Sequence, residues 1–286
     1  MEKIKKSRAA SFVCIALIYV VASAFGAAVY LALPFHFAVS LLIADAAATV
    51  VVFVFSLIFK NASVYDPYWS VQPMVILGLF AAENGLTAVT LLPLIAVFIW
   101  GVRLTANWAY SFKGLDRQDW RYELLKQRTG KFYPLINFIG IHMVPTVIVW
   151  ACTLPAVLLF KQETKFNFGC VVFFLVSMLA AGLQLVSDVQ MHRFHARGLR
   201  GIMDEGLWKY ARHPNYLGEI LMWWGVGLYA VCVMPERWYL LAGALANTAL
   251  FLTVSIPMME ERQSKKPGWD EYKRSTRLLL LIKKGK

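Results

Sequence analysis

The chain alternates long apolar blocks with short polar gaps. No charged residue interrupts the run from Ala9 to Pro34, and about 20 apolar residues suffice to cross the hydrocarbon of a bilayer. Blocks of this kind recur at 9–33, 37–59, 66–83, 86–108, 134–160, 167–189, 216–234 and 238–257, and each predicts a membrane-spanning helix. The third is the weakest: its apolar part, Val71 to Ala82, needs Asp66-Pro-Tyr-Trp to reach spanning length. Asn84-Gly85 supplies the turn between the third and fourth. The pattern therefore predicts an all-α fold: an integral membrane helical bundle of seven to eight spans, with 1–286 as a single transmembrane domain. No internal repeat and no low-complexity tract breaks it up.

The first block starts like a signal peptide, with Lys3, Lys5, Lys6 and Arg8 ahead of the apolar run and Ala22-Ser23-Ala24 within it. The apolar run nevertheless continues to Leu33, longer than a signal-peptide core, so an uncleaved first span is expected.

Composition agrees with this class. Hydrophobic residues make up 59% of the chain and charged residues 16%, against about 25% charged in soluble domains. Charge also tests the span count. Of 29 Lys and Arg, 26 fall in segments 1–8, 60–65, 103–133, 190–215 and 258–286, the alternate gaps of an eight-span chain. By the positive-inside rule both termini are then cytoplasmic, and omitting the third span would set the later basic gaps against the first. The net charge of +12 is accounted for by topology and by anionic membrane lipids, so nucleic acid is not an expected partner. A multi-pass protein of a bacterial inner membrane, or of the endoplasmic reticulum in a eukaryote, fits these features. Lys283-Lys284-Gly-Lys adds one more cytoplasmic charge cluster. The four cysteines lie inside apolar blocks without metal spacing, and no metal is expected.

Ionisable groups at membrane depth usually mark a cavity or pathway. Asp45, Asp66, His142, Asp188 and Glu219 are the candidates. In the C-terminal half the polar residues share faces. Gln184, Asp188, His192 and His195 form one helical stripe, and Asn215, Glu219 and Trp223 form another. A basic loop carrying Arg193, Arg197, Arg200, Lys209 and Arg212 joins them. Two such stripes describe a polar cleft for an anionic, nucleotide-sized ligand, with guanidinium forks for phosphates and aromatic faces for stacking. Tyr210, Arg212, His213 and Tyr216 lie in the dense stretch Gly206 to Glu219, where Pro214 suits a helix start. Glu261, Arg262 and Tyr272 lie near the chain's end, with Trp269 and Thr276 beside them. No Gly-x-Ser-x-Gly, Walker loop or Gly-rich dinucleotide fingerprint occurs.

Gln184 to Glu219, with Gly206-Leu-Trp, Arg212-His-Pro-Asn-Tyr and Gly218-Glu219, resembles the steroid 5α-reductase superfamily, and within it a mostly bacterial branch of membrane proteins. Trp100-Gly-Val-Arg103-Leu-Thr, Asp119-Trp-Arg121-Tyr122 and Glu260-Glu261 with Trp269, Tyr272 and Thr276 extend the resemblance over residues 60 to 278. It implies a reductase that holds NADPH in the half 134–286, with 9–133 as scaffold and substrate pocket. Gln184 and Asp188 match positions that hold the cofactor there, while Asn215, Glu219 and Trp223 match positions near the nicotinamide. Arg193 or Arg197 would meet phosphate. In such enzymes hydride passes to the β-carbon of an enone, and a Tyr and an acid polarise the carbonyl. Here Trp100 stands where that Tyr is expected, so Asp66 and Tyr68 are the candidate replacements, with a lipophilic small molecule as substrate.

Two other functions fit the same residues. Arg212-His-Pro-Asn-Tyr216, then Gly225 and Glu260-Glu261, also resembles the S-adenosylmethionine site of isoprenylcysteine- or phospholipid-type membrane methyltransferases. The Gln184/Asp188 stripe and the Asn215/Glu219 pair are not part of that pattern and favour the reductase. A non-catalytic lipid-binding protein of the same fold is the third.

Overall fold

The computed structural model describes residues 2–283, so 284–286 of the terminal charge cluster lie outside the described residues. Among the described residues the chain is helical throughout, without a strand. A short α1 (Glu2–Lys6) leads into α2 (Arg8–Ala32), whose start is capped by the Ser7 hydroxyl. α3 (Phe37–Phe59), α4 (Tyr68–Asn84) and α5 (Ala88–Ser111) follow. α6 (Trp120–Thr129), α7 (Tyr133–Ile136) and α8 (Val144–Leu159) run together, through a π-turn at Asn137–Met143, as one 40-residue helix. α9 (Phe168–Ala196) and α10 (Pro214–Val233) form the centre of the second half. α11 (Ala242–Leu250) and α12 (Ile256–Gln263) lie in a continuous helix Pro235–Gln263, and α13 (Trp269–Ser275) ends the bundle.

Seven of these helices are long and apolar enough to cross a membrane. α4, with 17 residues and a length of about 26 Å, packs among them as an eighth apolar helix. Its shortness has a structural cause. Gln72 of α4 lies level with Asp45 of α3, and Phe80 level with Phe37, so α4 begins well inside the reach of its neighbour. The preceding segment, 60–67, therefore folds inward as irregular backbone. Such backbone is tolerated at membrane depth only where protein satisfies its polar groups. Asn61 does much of this: its amide donates to the carbonyls of Leu115 (2.8 Å) and Arg117 (3.1 Å), and its side-chain oxygen accepts from Ser63 N (2.8 Å). The Gln118 amide oxygen accepts from Ala62 N at 2.7 Å.

Helix ends differ from the apolar blocks where polar residues continue a helix. α5 runs on to Ser111, so Arg103 belongs to a span and is not one of the loop charges. α9 runs to Ala196 and not 189, and Glu260 to Arg262 lie within the last long helix and not after it. The tightest pairing is α9 on α10. A Cβ at Gly218 would come within 2.7 Å of the Ala180 carbonyl oxygen, and Gly225, two turns on, lies against Ser177. Small residues on one helix face let two backbones approach in this way.

The basic segments gather at one end of the bundle. Arg8 donates to the Ala109 carbonyl, Asp116 N to the Lys5 carbonyl, Lys266 to the Gly201 carbonyl, and Arg128 pairs with Glu261.

Candidate functional site

At this basic end α9, α10, α12 and α13 enclose a cavity of about 290 Å³. Its position follows from the helix ends. α9 and α10 diverge where the 197–213 loop leaves and returns, and Pro214 opens α10 at its first turn. The tail closes the far side. Arg212 N donates to the Arg277 carbonyl (2.9 Å), His213 N to that of Leu278 (3.2 Å), and Tyr272 OH to that of Trp208 (2.6 Å).

Seven of the expected cofactor residues line this cavity: Asp188, Arg212, His213, Asn215, Tyr216, Arg262 and Tyr272. Three others lie behind or beneath it. Gln184 is buried, with its amide oxygen on Arg103 and its Nε2 without a partner. Glu219 is buried deeper and accepts from the indoles of Trp100 (2.8 Å) and Trp223 (2.9 Å). Those indoles meet edge to face at 4.8 Å, and Trp69 of α4 meets Trp100 at 5.9 Å. A row of three tryptophans thus runs from Glu219 of α10 to Trp69 of α4.

Four expected residues are not brought to the cavity. Arg193 is five positions from Asp188 on the same helix, about 140° round the axis, and is exposed. Arg197 pairs with Glu205 at 2.6 Å on the surface, so neither arginine provides the expected phosphate partner. Tyr210 is exposed, and Glu261 is taken up by Arg128. The cations that do line the cavity are Arg262 and Lys266 beside Arg212, with His195 and His213 as imidazoles. Arg262 lies over the Trp120 ring at 4.3 Å. Arg212 is not free for a ligand: it donates to Glu260 (2.6 Å) and to the Thr276 carbonyl (2.6 Å), fixing the tail. His213 points its Nε2 at Glu260 from 3.4 Å. Burial lowers the His213 pKa from its usual value and outweighs the opposing pull of Glu260.

The residue that sequence reasoning left without a role is Arg103. Its Nη1 pairs with Asp188 at 2.7 Å, its side chain is 8% exposed, and its Nε has no partner. As the only basic residue within its helix it could have been singled out, but its place at the edge of an apolar block made it look like a topology charge.

A second cavity, about 320 Å³ and mostly apolar, lies between α2, α3 and α4. Its polar groups converge on Asp45. Tyr68 OH donates to Asp45 Oδ1 at 3.2 Å, and Gln72 Nε2 to Oδ2 at 2.5 Å. Here the structure separates the expected pair of Asp66 and Tyr68. Asp66 precedes α4, accepts from Tyr122 OH at 2.6 Å and does not line this cavity, whereas Tyr68 does. Asp45, alone among apolar neighbours in the sequence, is the acid that Tyr68 meets. Among the described residues no cluster of His, Cys, Asp or Glu could hold a metal ion.

Comparison with known proteins adds kinship. No solved structure matches the chain. An uncharacterized protein of the fission yeast Schizosaccharomyces pombe is 26% identical over 197 residues, 57% of this chain, and the match spans 56% of that relative's own length. The model of a family described as protein of unknown function DUF1295 matches residues 52–276, most of the chain. The chain belongs to the DUF1295 family.

Proposed function

We propose that this protein is a membrane-embedded reductase that uses NADPH to saturate the C=C bond of a lipophilic enone. The observation that carries this reading is the charge of the cavity at the basic end. Arg262 and Lys266 line it beside Arg212, while Asp188 is its one acidic residue and is already paired with Arg103. Such a wall suits a polyphosphorylated dinucleotide and disfavours a sulfonium cation.

The residues present fit the cofactor in kind. Gln184 Nε2 and Arg103 Nε are buried donors without acceptors that lie behind the Asp188 side of the cavity and not in its lining. The parallel rings of His213 and Tyr216, 5.3 Å apart, offer a stacking face. Arg262 and Lys266 would hold phosphate, Asp188 and Asn215 hydroxyl or amide groups. NADPH, when bound, supplies the hydride.

On the substrate side, a carbonyl oxygen entering beside Asp45 would accept from the Tyr68 O–H and the Gln72 N–H, with Asp45 as the neutral acid, since a carboxylate stripped of both donors would repel the developing oxyanion. Those two donors stabilise the negative charge that develops on that oxygen as the β-carbon takes the hydride, and a proton from water then reaches the α-carbon to complete the saturated bond. Hydride passes only between atoms in contact, so on this reading the row Trp223, Trp100 and Trp69 must open far enough for the two cavities to meet.

The methyltransferase alternative draws support from Arg212, His213 and Glu260, which the fold brings together as that pattern asks. Turnover separates the readings. Purified protein in lipid nanodiscs is expected to oxidise NADPH when a lipophilic enone is added, and to lose most of that activity as Tyr68→Phe. Methyl transfer from S-adenosylmethionine to a lipid, without NADPH oxidation, would overturn the reductase, and lipid binding without either reaction would leave a non-catalytic lipid-binding protein.

A further inference from the structure

A third hollow lies apart from the cationic cavity and from the apolar slot between α2, α3 and α4. It is a groove of about 520 Å³ between α5 and α9, open along the outside of the bundle. Its lining follows α5 from Phe98 to Tyr110, roughly 18 Å at 1.5 Å per residue. Asp188 lines both this groove and the cationic cavity, and its partner Arg103 backs the groove.

The groove changes chemistry along its length. Away from the basic end its walls are Ile99, Val102 and Leu185, which are 42%, 58% and 50% exposed and so turned to the bilayer. Toward the basic end the walls become polar. His192 Nε2 meets Asn107 Oδ1 at 2.7 Å, and the His192 ring packs on that of Tyr110 at 4.5 Å. Tyr110, largely exposed, marks the level of the membrane surface, where Tyr is enriched.

Two cations stand at that level. Arg193 lies one turn beyond Val189, a lining residue, and about 40° from it round the axis, which sets it on the groove's rim. The same position keeps it out of the cationic cavity. Arg8 donates to the Ala109 carbonyl, next to Tyr110. Both arginines are exposed, and among the described residues neither has a carboxylate within ion-pair distance. The one carboxylate of the lining, Asp188, is held by Arg103.

We infer that this groove binds a phospholipid with an anionic headgroup, its phosphate at Arg8 and Arg193 and an acyl chain along Val102 and Leu185. Charge at the membrane surface with hydrocarbon below it is the order of such a lipid lying in its own leaflet. Basic residues beside membrane helices attract anionic lipids, whereas a zwitterionic lipid with the same chains brings no net charge to the arginines. The inference goes beyond the reductase reading and does not rest on it, because neither cofactor nor enone takes part.

The test is lipid retention by the purified protein, read by native mass spectrometry after dioleoylphosphatidylglycerol and dioleoylphosphatidylcholine are added in equal amounts. The two lipids share their chains and differ in net charge. Phosphatidylglycerol is expected to be retained in preference, and Arg8→Gln and Arg193→Gln should each weaken its binding roughly fivefold. Val102→Trp fills the groove from a bilayer-facing position without changing charge, and should also weaken it. Lys126→Gln removes a cation of α6, outside the groove, and should leave retention unchanged. Wild-type helix content by circular dichroism shows that each variant folds. Equal retention of the two lipids, an equal loss in Lys126→Gln and Arg193→Gln, or undiminished retention in Val102→Trp would each overturn the inference.

Discussion

Arg103 illustrates how one buried charge is made tolerable in this fold. Its guanidinium is shielded from water and held by Asp188 and Gln184. Removing one member of a buried pair strands the other, which costs about 3–5 kcal/mol. Arg103→Ala should therefore lower the midpoint of denaturation in detergent sharply, and Arg103→Ala/Asp188→Ala should recover part of the loss. Additive effects would show that the pair is not coupled. At the substrate end Tyr68→Phe removes one donor to the developing oxyanion, an effect of about 10²–10³ in kcat. Asp66→Asn should change kcat little, because Asp66 is held by Tyr122 away from the slot. An equal loss in the two variants would restore Asp66 to the site. His213 gives a pH test. Its folded pKa is lowered by burial, so below about 6.5 the unfolded chain takes up a proton that the folded protein resists. Stability should fall as pH drops through that region, and His213→Gln should flatten the profile.

Much of this was legible from residue spacing. Asp188 and Asn215 share a cavity because helical periodicity put them on facing stripes. Arg193 failed for the same reason, since its own spacing carries it off that face. The bond between Tyr68 and Asp45 joins residues 23 apart on different helices, a relation that no local pattern encodes.

Among the elements, α9 and α10 hold the site in register. Their contact depends on Gly218 and Gly225, where a side chain would run into the Ala180 carbonyl and Ser177. Overpacking of this kind typically costs 1–3 kcal/mol. Gly225→Leu should destabilise by about that much and weaken NADPH binding together with it, read by thermal shift. Loss of stability with unchanged affinity would show that the site does not depend on this helix pair. The apolar blocks marked the span centres well and their ends poorly. α9 gains its last two turns from Gln190 to Ala196, a stretch whose polar residues a hydropathy window discards. The π-turn at Asn137–Met143 left no local signal either. Its backbone is settled by tertiary surroundings, including His142 wedged against Phe53 and Tyr65.

For the whole molecule the central feature is a division of labour. The second half carries a cationic cavity at one end of the bundle. The first half carries an apolar slot open to lipid, and the row Trp223, Trp100 and Trp69 joins α10 to α4. Fold class followed from the apolar blocks alone, because a bilayer leaves a chain few ways to satisfy its backbone. The division into two cavities did not, since it depends on how eight helices pack. We predict that the cavity end is cytoplasmic. In a cysteine-free background, single cysteines at Lys113 and Lys265 should be shielded from an impermeant thiol reagent in intact cells and react after lysis. Labelling of intact cells would reverse the orientation.

The most direct measurement is ligand binding to the purified protein, NADPH against S-adenosylmethionine, titrated in detergent. NADPH should bind and stabilise wild type, with affinity lost in Asp188→Ala and Asn215→Ala and reduced in Lys266→Ala, while S-adenosylmethionine should have no effect. Stabilisation by S-adenosylmethionine alone, or NADPH affinity indifferent to all three substitutions, would contradict the assignment of the cationic cavity as a dinucleotide site.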